Sequence, residues 1–135
     1  MRMPRPKLSL ALLVIAFVGL PGCGNLTGNG PCAPTITVSS GTTPRFSWSP
    51  SCKIQALSVV SGSACDSRFE CWAIESVDDN GISAPVRYGT VPSTARERFA
   101  PIALQVGHQY LVRLERYEDV DSGRALIEVS QTFTP

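Results

Sequence analysis

Cys32 and Cys52 stand ten residues either side of Thr42, which lies within Gly41-Thr42-Thr43-Pro44. That tetrapeptide is a turn signal, because glycine and proline supply the backbone angles a reversal needs. The residues flanking it alternate. Thr35-Ile36-Thr37-Val38 puts Ile36 and Val38 on one face, and Arg45-Phe46-Ser47-Trp48 does the same for Phe46 and Trp48. An antiparallel hairpin centred on Thr42 therefore sets the two cysteines opposite each other. The start of the chain bears on their chemistry. Arg2, Arg5 and Lys7 precede an apolar run over residues 8–20, the order of a secretion signal and too short for the ~20 residues of a bilayer span. Exported chains oxidise their thiols, and an even set reads as disulfides. Apart from Cys23 the set is Cys32, Cys52, Cys65 and Cys71. The hairpin selects Cys32–Cys52 from the three possible connectivities, leaving Cys65–Cys71 to close a short loop over residues 66–70. A four-cysteine zinc site wants paired C-x-x-C spacings. None occurs, so no metal is expected.

Period-two alternation continues from residue 34 onward, broken at short intervals by turn residues, and predicts an all-β fold, a single antiparallel β-sandwich. Residues 54–60 and 69–77 read as strands, the latter ending at Asp78-Asp79-Asn80-Gly81. A three-residue loop over Asp79-Asn80-Gly81 favours a left-handed glycine at its end. Centred on Asn80, this hairpin sets Trp72 opposite Tyr88 and Ile74 opposite Val86, building one apolar face. Pro85 then occupies the opposite, edge-compatible face. Residues 91–103 are the least regular stretch, with room for a short helical turn over 93–99 between prolines. Two closing strands place Tyr110, Val112 and Leu114, then Ala125, Ile127 and Val129, on the core side.

Two resemblances add to this reading. Leu20-Pro21-Gly22-Cys23 resembles a bacterial lipobox, with Pro21 an uncommon choice at its second place. The resemblance implies removal of a signal peptide at residues 1–22 and acylation of Cys23. Residues 23–33, rich in Gly, Asn and Pro, then form a flexible tether ahead of a domain at 34–135. Within that domain, Phe46-Ser47-Trp48-Ser49-Pro50 and the Leu-x-x-Gly-x-x-Tyr-x-Val pattern from Leu104 to Val112 are similar to segments of fibronectin type III domains. The resemblance implies a buried Trp48, a turn at Gly107, and a buried Tyr110 whose hydroxyl bonds nearby backbone. It spans about residues 34–133. The third strand departs from the family, with Leu57 where tyrosine is frequent, and the cysteines are additions.

Processed at Cys23, the chain has 113 residues with nine basic and eleven acidic side chains, a net charge of −2. This is one domain's worth of chain. No basic cluster is present for nucleic acid or for a polybasic membrane contact. His108 is the only histidine and falls between the turn glycine and Tyr110, where an exposed loop residue is expected. A triad needs a nucleophile and an orienting acid to converge on it, so no catalysis is expected. Glu118-Asp119-Val120-Asp121-Ser122-Gly123 partly matches the opening of a calcium loop, but the remaining ligand positions are missing. It reads as a solvated hairpin loop. With Tyr117 beside it, Tyr117, Glu118, Asp119 and Asp121 form a candidate interaction loop, and the loops at 65–71 and 91–103 are the other two candidates. The expected function is a non-catalytic, cofactor-free interaction or adhesion module, lipid-anchored through Cys23 in the bacterial cell envelope. The outer membrane is expected where there are two, because Gly24 does not resemble the aspartate that retains many lipoproteins at the inner one. Its partner is an envelope or extracellular protein or glycan. The alternatives are a carbohydrate-binding protein, a hydrolase and an inhibitor of an external enzyme.

Overall fold

A computed structural model describes residues 31–65 and 69–135. The expected signal segment, Cys23, the tether as far as residue 30, and residues 66–68 lie outside the described residues. Eight strands follow in chain order: β1 (Thr35–Val38), β2 (Arg45–Ser49), β3 (Ala56–Val60), β4 (Glu70–Ser76), β5 (Val86–Arg87), β6 (Ala95–Phe99), β7 (Tyr110–Val120) and β8 (Gly123–Phe133). They form two antiparallel sheets, ordered β1-β2-β5 and β6-β4-β3-β7-β8. No helix occurs among the described residues.

The β1–β2 register runs from Thr35↔Ser49 to Val38↔Phe46, which centres on Thr42 as the cysteine symmetry requires. Continued outward, it brings Cys32 to Cys52, and the two are bridged with 6.5 Å between Cα atoms. Cys65 and Cys71 are bridged at 4.7 Å.

Alternate residues of both sheets meet in one core. Leu57 and Val59 of β3, Trp72 and Ile74 of β4, and Val112 and Leu114 of β7 are buried, as are Phe46, Trp48 and Val86 from the smaller sheet. Each such side chain contributes roughly 1.5–3 kcal/mol by leaving water. Aromatic contacts join the layers: Trp72 meets Tyr88 edge-on at 5.2 Å between centroids, and Phe46 meets Phe133 at 5.7 Å. Trp48 also donates its indole N–H to the Cys52 carbonyl at 2.7 Å. On β3 and β4 the opposite face is buried too, by the small residues Ala56, Ser58 and Ala73. This explains why alternation alone leaves the inward set of residues 54–60 ambiguous.

Three expectations are corrected. The hairpin centred on Asn80 does not form. β4 pairs with β3 and β6, whereas Val86 belongs to β5 and pairs with Phe46 of β2. Trp72 and Tyr88 do touch, but across the core between layers. Either arrangement turns the same residues inward, so a face pattern cannot separate cross-strand from cross-core partners. Second, residues 93–99 contain no helical turn; they supply the edge strand β6, whose mostly exposed side chains hide its alternation. Arg96 of β6 pairs with Glu75 of β4 at 3.1 Å. Third, the acidic hairpin loop is shorter than expected. β7 continues to Val120, which pairs with Gly123, so Tyr117, Glu118 and Asp119 are strand residues and the loop is Asp121-Ser122 alone.

Candidate functional site

The β1–β2 hairpin gives the molecule two ends. The disulfide Cys32–Cys52 marks one, and the Thr42 turn marks the other. Ten residues at about 3.3 Å each separate them by roughly 30 Å.

The candidate loop of residues 117–121 lies at the Cys32 end and is committed to internal contacts. The Glu118 carboxylate accepts the Cys32 backbone N–H at 2.9 Å and is paired with the Arg116 guanidinium. Burial pushes the Glu118 carboxyl upward, but the Arg116 hydrogen bond, the Cys32 N–H and the Arg116 charge outweigh it and hold it below the usual carboxylate range. Arg116 also donates to the Lys53 carbonyl. Asn80 works as a clasp. Its amide nitrogen donates to the Tyr117 carbonyl at 2.8 Å, and its amide oxygen accepts the Tyr117 N–H at 2.9 Å. Continued one pair at a time, the β3–β7 register would set Tyr117 opposite Ile54, whose backbone instead bridges Ile82. Arg124 pairs with Asp79 and lies over the Tyr117 ring, 4.1 Å from its centroid. One face of Tyr117 is therefore taken, which disfavours a stacking platform for sugar. Asp119 and Asp121 are exposed.

At the opposite end Cys71, which closes the 65–71 candidate, meets residues 101–103, the tail of the third candidate. The earlier residues of that third candidate run back along β4, with Thr94 bonded to Val77 and Ala95 paired with Ser76 near Asn80. The Ile102 N–H donates to the Cys71 carbonyl at 2.9 Å, and the Tyr88 hydroxyl donates to the Ile102 carbonyl at 2.7 Å. Burial pushes the Tyr88 phenol up to about 12, against the lowering effect of its bond to Ile102. Beside this junction is an open cleft of about 420 Å³, lined by Thr42, Thr43, Tyr88, Gly89 and residues 101–104. This volume is within the range of small-ligand sites. Its lining is mostly apolar, and Thr42 and Thr43 are the hydroxyl-bearing side chains in it besides Tyr88. The Leu-x-x-Gly-x-x-Tyr segment forms the neighbouring corner. Leu104 and Tyr110 are buried, Gly107 has φ +82°, and the Gln105 N–H donates to the Tyr110 hydroxyl at 2.8 Å.

His108 is exposed on that corner, and its backbone N–H donates to the Gln105 carbonyl. No described hydrogen bond joins its imidazole to a serine or an acid. Among the described residues no three His, Cys, Asp or Glu side chains are grouped to hold a metal ion. The sequence reading missed Phe69. Its ring is 63% exposed next to Cys71, with φ +59°, a conformation that costs a phenylalanine of order 1–2 kcal/mol. Nothing in the sequence signals that conformation. No protein-family model, curated protein or solved structure matches this chain.

Proposed function

We propose that this chain is a non-catalytic interaction module of a bacterial cell envelope, a fibronectin type III-like β-sandwich lipid-anchored through Cys23. The observation that carries the reading is polarity along the long axis. The segment bearing Cys23 enters the domain at Cys32, about 30 Å from the cleft. Residues 24–31 reach at most about 30 Å. An anchor at Cys23 would therefore attach at the end that carries the Asn80 clasp and the 117–121 segment, and the cleft, the Cys65–Cys71 disulfide and Phe69 lie at the end away from it. Two packed antiparallel sheets and the bonded Tyr110 corner support the type III-like part. Interaction sites on such frameworks sit in loops held by rigid strands.

Two measurements test this. Replacing Cys23 by Ala should move the chain from the membrane fraction to the soluble fraction or leave an uncleaved precursor; unchanged, fully processed attachment would refute the anchor. A photo-crosslinking residue at Thr43 should give a discrete adduct on intact cells, and one at exposed Ser83, next to the Ile54–Ile82 bridge at the Cys52 end, should not. Adducts only from Ser83 would place the contact at the wrong end.

A further inference from the structure

β8 forms one edge of the larger sheet; among the described residues β7 is the one strand in ladder with it, while β1 of the smaller sheet packs close by without pairing. Edge strands in stable monomers are usually short, bulged, or interrupted by proline, because their unpaired backbone groups recruit other strands. β8 has none of these three protections; of the usual devices it carries only charge, at Arg124 and Glu128. It runs for 11 residues without proline, and its register against β7 is unbroken from Val120↔Gly123 to Tyr110↔Phe133.

The direction of the free groups follows from β7. The Glu115 carbonyl accepts the Gln55 N–H, and Tyr117 turns both backbone groups to Asn80. Odd residues of β7 thus point away from β8, and even residues point towards it. Their partners on β8 are Ala125, Ile127 and Val129. In an antiparallel ladder these directions alternate, so Arg124, Leu126, Glu128 and Ser130 aim their N–H and C=O groups at the open edge. Their side chains share the outer face, where Leu126 is 50% exposed.

We propose that this edge pairs with the same edge of a second copy of the chain, antiparallel and centred on Leu126. Of the registers that use the outward-pointing groups, three centre on residues 126–128. A centre at Glu128 opposes that carboxylate to its own copy, which is repulsive. A centre at Ile127 opposes Leu126 to the copy's Glu128. A centre at Leu126 opposes Leu126 to itself and Arg124 to the copy's Glu128, twice by symmetry. Only this last register covers the exposed leucine with apolar surface and gives opposite charges directly across the edge. An isologous contact of this kind closes on itself as a dimer. It joins the two larger sheets into one and leaves both clefts open.

The test is sedimentation of the full chain in density-matched non-ionic detergent, with hydrogen exchange on the same samples. Concentration-dependent dimerisation is expected, with protection of the Leu126 and Glu128 N–H groups rising in parallel. Arg124→Glu and Glu128→Arg should each weaken the dimer by about tenfold or more, since each turns two attractive pairs repulsive. The double variant Arg124→Glu/Glu128→Arg should recover to within about threefold. That recovery has no source within one chain. Position 124 faces Asp79 and position 128 faces Arg113 at 3.2 Å, so the double reversal worsens both. Leu126→Pro should remain folded by circular dichroism and be monomeric, because it deletes an edge-facing N–H and spares the β7 ladder. A monomer up to about 1 mM, the weak limit of specific affinity, would overturn the proposal. So would single reversals that leave association unchanged, or a double reversal that fails to restore it. Protection at Leu126 and Glu128 that ignores concentration would assign the edge to this chain's own N-terminal segment, and that also overturns it.

Discussion

Replacing Asn80 by Ala measures how firmly the end of the β7–β8 hairpin is tied to the rest of the domain. Asn80 does two things at once. Its amide makes the two bonds to Tyr117, and its backbone holds φ +48°. Both bonds are at the surface, where water replaces much of what is lost. They contribute about 0.5–1 kcal/mol each. Alanine also tolerates the left-handed region less well than asparagine, at a further cost of about 1 kcal/mol. The expected loss is therefore about 2–3 kcal/mol by urea unfolding with both disulfides intact. Asn80→Gly separates the two effects, because glycine removes the amide and keeps the backbone angle free. It should lose only about 1–2 kcal/mol. The Tyr117 N–H should exchange faster in both variants, while core amides such as that of Val112 slow or quicken only with global stability. If Asn80→Ala changes stability by less than about 0.5 kcal/mol, or leaves Tyr117 exchange alone, the clasp is not holding the hairpin.

Three further outcomes follow from the same geometry. Glu118 has a depressed carboxyl in the folded chain, so its contribution is present above the unfolded carboxyl range near 4.3 and is lost as pH falls through the folded value. Glu118→Gln should flatten the acid limb of a stability-versus-pH curve and leave its shape above about pH 6 unchanged; an identical acid limb would contradict the assignment. Tyr110→Phe leaves the Gln105 N–H without its acceptor and should lower stability by about 1–2 kcal/mol by urea titration; a loss under a few tenths would show that water replaces the hydroxyl. A Cβ on Gly81 would sit 2.4 Å from the Ser76 Oγ, the same oxygen that accepts the Gly81 N–H. Gly81→Ala should therefore destabilise by more than 1 kcal/mol, and adding Ser76→Ala should recover part of that in a thermal melt. An additive double variant would place the strain elsewhere.

Local sequence determined a good deal here. The turn at Thr42 and the alternation beside it set the β1–β2 register and with it Cys32–Cys52, because a short hairpin has its centre in its own loop. The inward sets of β1, β2, β7 and β8 are equally local, since one face of each is polar. The Tyr110 corner was legible through the Leu-x-x-Gly-x-x-Tyr-x-Val resemblance, and it too is local: its hydroxyl bonds a residue five positions away. Tertiary structure decided the rest. Trp72 and Ile74 turn inward whether their partners lie beside them or across the core, and only the packing of two sheets assigns them to the latter. The acidic stretch after Tyr117 has turn-forming composition, yet pairing with residues 123–126 extends β7 through most of it. Asn80 carries a strong turn signal, but its grip on Tyr117 depends on β3 ending where a 37-residue separation brings the two together. The meeting of Cys71 with Ile102 at one end, and of Cys32 with Glu118 at the other, likewise rests on contacts between residues distant in the chain. Periodicity reports which way a side chain faces, and only the assembled sheets determine what it meets.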